Sequence, residues 1–171
     1  MSVLFKNYDN NFLEPLRSAK TVEQLNHRFE QICHTHGIES FSIVELTSNN
    51  NKRTFHTYST YPDNWIEHYV DNQYYEYDPV FVNPAHAPLP FYWHHNLMKN
   101  LTKQQQDLFK DAYSFGVRSG TTIPLMPVKN RYSYLTFLNI NIANNFDLMF
   151  WMRAVGDTYF AVHNTLSSIY Y

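Results

Sequence analysis

Two pairs of β-branched and aromatic runs, each pair joined by a polar turn, set the tightest limit on how this chain can fold. SFSIVEL (Ser40 to Leu46) and TFHTYST (Thr54 to Thr60) flank SNNNKR, while SGTTIPL and YSYLTFLNI (to Ile140) flank VKNR. Such runs around short polar turns read as hairpins, and a hairpin pairs its strands antiparallel. The segments between them read as helices. Leu4, Phe5, Tyr8, Phe12, Leu13 and Leu16 recur at helical spacing from Met1 to Ser18, with Pro15 interrupting late. Thr21 with Gln24 resembles a capping box, opening a helix with Val22, Leu25, Phe29 and Ile32 on one stripe and ending before Gly37.

Pro62 suits the first turn of a third helix, which sets Trp65 and Tyr69 one turn apart, and Asp78-Pro79 closes that unit. After the proline-spotted VNPAHAPLP, the run FYW at Phe91 to Trp93 reads as a short edge strand. Thr102 and Gln105 predict another capping box, opening a helix through Leu108, Phe109 and Ala112 that stops at Gly116. From Asn145 onward, Phe146, Phe150, Ala154 and Val162 predict a final amphipathic helix. Strands arriving as hairpins between helices imply an α+β fold, a five-stranded antiparallel sheet packed between helices on its two faces. With 171 residues and no repeat or linker, the expectation is one domain over the whole of 1–171.

The stretch YPDNWIEHYVDNQYYEYDPV, Tyr61 to Val80, concentrates aromatics that carry polar tips. A core built only for packing prefers Leu, Ile and Val, whose side chains need no hydrogen-bond partner. Aromatics reach 18% of the chain, which points to a cavity lined by rings or to an aromatic interface. Tyr61 brings a hydroxyl, Trp65 an indole N–H that only donates, and Asp78 a carboxylate that only accepts. Together they suit a small ligand with carbonyl oxygens and an amide N–H. Phe91, Tyr92, Trp93 and Phe109 could wall it. A tyrosine-rich core or dimer surface would use the same residues for packing alone, and Tyr69, Tyr74, Tyr75 and Tyr77, taken singly, read better that way.

The spacing of Tyr61-Pro62, Trp65, Tyr69, Tyr74 or Tyr75, Asp78-Pro79, Pro90 with Trp93, and Gly116, Gly120 and Pro124 in FGVRSGTTIP resembles the ligand-binding domain of LuxR-type quorum-sensing regulators. That resemblance covers the middle half of the chain. It implies a sensor for N-acyl-homoserine lactones, with Trp65 donating to the lactone carbonyl and Asp78 accepting the amide N–H. By the same resemblance Tyr61, helped by the Thr136 hydroxyl, donates to the acyl carbonyl, Tyr69 belongs to the site, and Trp93, Leu108, Ala112 and Val117 surround the lactone ring. Strand alternation adds Ser42, Val44, Phe55, Thr57 and Ser59 as candidates for the acyl tail, and the bulk of Phe55 favours a short or medium chain. Regulators of this kind continue into a C-terminal helix-turn-helix domain, which this sequence does not contain. The chain is therefore expected to be a sensor half excised from a longer protein rather than a natural short form.

Other chemistries find less support. Thirteen basic against 15 acidic residues, without a basic run, give no nucleic-acid surface, so DNA is expected to be bound only through the missing domain. A lone cysteine, Cys33, excludes an internal disulfide. With no leader and no apolar run long enough to span a bilayer, a cytoplasmic protein is expected, and the sequon at Asn100 carries no meaning. The histidines of CHTH (Cys33 to His36) and His94-His95 lack metal-ligand partners at suitable spacing, so no metal or cofactor is expected besides the lactone ligand. No nucleophile motif, phosphate loop or carboxylate pair accompanies Asp78, which argues against an enzyme. Two readings remain: a lactone sensor acting as a homodimer, and a ligand-independent interaction module that pairs with full-length regulators and blocks them.

Overall fold

The computed structural model describes residues 11–49, 52–82, 89–94, 96, 99–127 and 130–168. Its elements run α1 (Glu14–Arg17), α2 (Val22–Thr35), β1 (Phe41–Asn49), β2 (Lys52–Ser59), α3 (Asp63–Asp71), a 3-10 turn (Tyr74–Glu76), α4 (Pro79–Val82), β3 (Phe91–His94), α5 (Lys103–Ser114), β4 (Ser119–Pro124), β5 (Arg131–Leu138) and α6 (Phe146–Ser168). All neighbouring strands pair antiparallel, in the order β2-β1-β5-β4-β3. Both expected hairpins form, and Phe91 to Trp93 lies on the expected edge strand. No described helix is long and apolar enough to cross a membrane.

Local signals explain most boundaries. Thr21 accepts the Gln24 N–H at 3.2 Å, but the Gln24 side chain takes the Lys20 N–H instead of closing the box on Thr21. At α5 the box is complete, and Gly116 at φ +86° ends the helix where a side chain would be strained. Period-2 alternation then sorts the sheet into two unlike faces. Phe41 and Ile43 of β1, Ile123 of β4, and Leu135 and Phe137 of β5 join Leu16, Leu25, Phe29, Met152 and Val155 of α1, α2 and α6 in a dry core. The opposite face carries Ser42, Thr122 and Thr136, and is covered by α3, α4 and α5 around Trp65, Tyr69, Tyr74, Val80, Leu108 and Val117.

Three expectations need correction. Within the described residues the N-terminal helix is the single turn Glu14–Arg17, and Pro15 sits in its first turn, where its missing N–H costs nothing. The remainder of that expected helix, residues 1–10, lies outside the described residues, as do parts of both hairpin turns, most of the proline-spotted loop, His95 and residues 169–171. Asp78-Pro79 does not close the α3 unit; it opens α4, with the Val80 N–H donating to Asp78 Oδ1 at 2.8 Å and Phe81 N–H to the Asp78 carbonyl. Of the stripe assigned to α6, Val162 packs against the core as expected and Ala154 is half-buried, but its two Phe lie on the outer face. Phe146 and Phe150 are 77% and 79% exposed, whereas Leu148, Met152, Val155 and Tyr159 are buried in the core. Aromatic content drew the stripe, but the 23-residue helix is apolar on more than one side.

Gly120 fixes one wall of the second face. It pairs with Trp93 across β3 and β4, and a β-carbon there would lie 2.8 Å from the Phe137 carbonyl and 2.9 Å from the Trp93 ring. Neither backbone nor a seated indole yields easily, so Gly120→Ala is expected to lower stability by roughly 1–3 kcal/mol through overpacking. A urea midpoint that falls at constant m-value would verify it.

Candidate functional site

The helices over the hydroxylated face leave a cavity between themselves and the sheet, about 50 Å³ in volume, on a measure where one water takes roughly 10–15 Å³. Most of the residues singled out for the ligand site meet there. Trp65 and Tyr69 reach it from α3, Asp78 from the start of α4, and Leu108 and Ala112 from α5, with Val117 just beyond. The sheet supplies Ser42, Val44, Phe55, Trp93 and Thr136, and Tyr61 stands at the entry to α3. Phe109 also lines the cavity; Phe91 and Tyr92 do not. Thr57 and Ser59 stay outside it because their hydroxyls turn to the backbone, donating to the Ile43 and Phe41 carbonyls. Sequence reading missed Ile66, Val80 and Phe81. Val80 and Phe81 belong to the turn that Asp78-Pro79 begins, so reading that dipeptide as an N-cap followed by N1 proline would have found them.

Asp78 is the electrostatic centre. Only 6% exposed, it accepts from the Tyr69 hydroxyl at 2.9 Å on Oδ2 and from the Val80 N–H on Oδ1. Burial pushes its pKa up to about 6, against the two hydrogen bonds that pull it down. It therefore remains mostly ionised at neutral pH, with lone pairs to spare. Burial, and then the Asp78 charge, drive the Tyr61 and Tyr69 hydroxyls well above the usual phenol range, so both stay protonated donors. Tyr69 spends its proton on Asp78. The Tyr61 hydroxyl and the Trp65 indole N–H have no hydrogen-bond partner among the described residues.

Proton accounting also orients Thr136. The Trp93 Nε1–H donates to Thr122 Oγ1 at 3.0 Å, and Thr122 Oγ1 lies 2.9 Å from Thr136 Oγ1. Thr122 is fully buried, and these are its side-chain partners among the described residues. An orphaned buried donor costs about 1–3 kcal/mol, so Thr122 gives its proton to Thr136 and leaves the Thr136 proton for the cavity. The site thus offers donors from Tyr61, Trp65 and Thr136 around one carboxylate acceptor. At the far end Phe55 stacks on Tyr75 with centroids 5.5 Å apart and leans on Tyr69. Outside, Asp111 of α5 accepts from Tyr74 at 2.5 Å and pairs with His68 of α3 at 3.0 Å, which ties the two covering helices together. Those hydrogen bonds, Tyr74's first, hold the Asp111 carboxyl below its usual range.

The family model described as an autoinducer binding domain matches residues 21–163. The chain belongs to the autoinducer-binding domain family of LuxR-type regulators. Its curated relatives are transcriptional activators: LuxR of Aliivibrio fischeri is 27% identical over 94 residues, covering 53% of this chain and 36% of LuxR. RaiR of Rhizobium etli is 29% identical over 106 residues, 61% of this chain and 43% of RaiR. The match thus spans less than half the length of either relative. Among solved structures, Escherichia coli SdiA superposes with a TM-score of 0.77 at 20% identity, over 92% of this chain and 67% of that one. CepR2 of Burkholderia cenocepacia, described as an N-acylhomoserine lactone dependent factor, gives 0.65 at 19% identity over 90% of each chain. At such identities the superpositions establish a shared fold.

Because Tyr69 is one of two groups holding the Asp78 pKa down, Tyr69→Phe is expected to raise it above about 6. Carbon-13 NMR titration of the Asp78 carboxyl in the two proteins checks this, and an unchanged or lower value contradicts the assignment.

Proposed function

We propose that the domain binds an N-acyl-homoserine lactone and passes that binding on to self-association and DNA binding in a longer regulator. The observation that carries this reading is the set of donors left without partners around a buried, ionised acceptor. Trp65 would donate to the lactone carbonyl, Tyr61 and Thr136 to the acyl carbonyl, and Asp78 would accept the amide N–H. Trp93, Leu108, Ala112 and Val117 would enclose the ring, while the tail would run toward Ser42, Val44 and Phe55. The lactone dependence stated for CepR2 supports the ligand class. SdiA has also been solved with octanoyl-rac-glycerol, and an acylglycerol, which lacks the amide N–H, is the natural control ligand.

An empty site keeps costly polar groups unpaired, so the ligand should stabilise the fold by mass action. A hundredfold excess over Kd contributes about 2.7 kcal/mol, or roughly 5–10 °C in Tm for a chain of this size. Lactones of six or eight acyl carbons are expected to outperform one of twelve, since Phe55 and Tyr75 close the tail end. Asp78→Asn should weaken binding by about tenfold or more, the worth of a charged acceptor over a neutral one. A thermal-shift series against four- to twelve-carbon lactones, with Asp78→Asn, Trp65→Phe and the octanoylglycerol control, checks all three expectations.

The pH dependence has a definite sign. The Asp78 pKa is raised in the folded domain to about 6, so the empty fold holds an extra proton between the unfolded value and 6, and this group favours the empty fold more as pH falls. Ligand binding uses the ionised form and does the reverse. Affinity measured by titration calorimetry should be flat above pH 7 and fall toward about tenfold per unit below 6, and Asp78→Asn should abolish that slope.

Phe146 and Phe150, one turn apart and exposed on α6, support self-association of the domain. Changing both to Ser should yield a monomer by light scattering with the lactone-induced Tm shift intact. If association with a full-length regulator is lost instead, and no lactone shifts the Tm, the interaction-module reading replaces the sensor.

A further inference from the structure

The strand order sets a direction across the cavity: Trp93 on β3 at one edge, Thr136 on β5 in the middle, Ser42 on β1 next, and Phe55 on β2 at the other edge. Ser42 and Thr136 are directly paired on adjacent strands, so their side chains share a face about 4.8 Å apart. On the reading above, Thr136 holds the acyl carbonyl and the tail continues toward Ser42. The third acyl carbon, two bonds beyond that carbonyl carbon, therefore comes up against the Ser42 hydroxyl.

What Ser42 presents there follows from its neighbours. Thr57 Oγ1 donates to the Ile43 carbonyl at 3.1 Å, which uses its one proton. Ser42 Oγ lies 3.1 Å from Thr57 Oγ1, so Ser42 must be the donor of that pair. Its proton is directed away toward Thr57, and only its lone pairs remain for the cavity. The row thus presents a donor at Thr136 and an acceptor at Ser42.

We infer that Ser42 selects a signal bearing a hydrogen-bond donor on the third acyl carbon, a 3-hydroxyacyl chain, over its 3-oxo and unsubstituted counterparts. A 3-oxo oxygen would meet lone pairs unless Thr57 gave up its bond to Ile43 and passed a proton through Ser42. A plain methylene would leave Ser42 unanswered. This inference rests on the lactone reading and refines it.

The test is calorimetric titration of the domain with 3-hydroxy, 3-oxo and unsubstituted lactones of one six- or eight-carbon length. One neutral hydrogen bond is worth about fivefold in affinity, so the 3-hydroxy form should bind about fivefold tighter than either of the others. Ser42→Ala should level the three. Thr57→Val, which changes a residue outside the cavity, removes the acceptor for the Ser42 proton and should swing the preference toward the 3-oxo form. A wild-type protein that binds the 3-oxo or plain lactone as tightly as the 3-hydroxy form overturns the inference and leaves the lactone reading standing. A 3-hydroxy preference that survives Ser42→Ala overturns the role of Ser42. If no lactone of any kind binds, the lactone reading falls and this inference falls with it.

Discussion

A carboxylate buried under three helices and still ionised near neutral pH is the constraint around which this domain is arranged. Asp78 keeps its charge because the α4 backbone supplies the Val80 N–H and α3 supplies the Tyr69 hydroxyl. Each depends on local chain geometry: the N-cap position needs Pro79 to start a turn there, and Tyr69 must sit one helical turn beyond Trp65. The covering layer is thus oriented by what the carboxylate needs. Helix α4 is then held to the sheet by the Tyr134 hydroxyl, which donates to the Phe81 carbonyl at 3.1 Å. Fold and site are built from the same bonds.

The sheet beneath shows the same logic from the other side. Facing α1, α2 and α6 it is sealed by Phe and Leu side chains, and even its buried Thr121 is satisfied by the loop before α6, at the Ile140 carbonyl and the Ile142 N–H. Facing the cavity it presents hydroxyls whose protons are passed from residue to residue. Packing could fill the first face with no loss. The second face cannot be dried without leaving donors unanswered, and a ligand with matching polar groups answers them.

Much of this was legible in the sequence because the signals were local. Hairpin composition, the Thr102 box and the Gly116 stop each act within a few residues. The cavity residues were named through the spacing of the Trp65, Asp78 and Trp93 motifs, and the fold brings them together. What escaped depends on contacts distant in sequence. Which side of α6 faces inward is decided by the sheet it packs on, so the exposed Phe146 and Phe150 look no different in the sequence from the buried Leu148 and Met152. Whether Thr57 or Ser42 faces a ligand depends on which hydroxyl finds a backbone carbonyl first. Pro15 and Asp78-Pro79 were misread for one reason: proline was treated as a stop where its fixed φ serves as a start.

The two ends of the cavity are made of different materials. At the Trp93 end the wall is an indole ring backed by the main chain of Gly120 and by the Phe137 carbonyl beyond it, and any change in ring size or shape meets a fixed stop. Where Phe55 meets Tyr75 and Tyr69, the wall is side chain against side chain, with ring centroids 5.5 and 5.3 Å apart. A change of ring size at the second end is therefore met by other side chains, whereas at the first it is met by main chain.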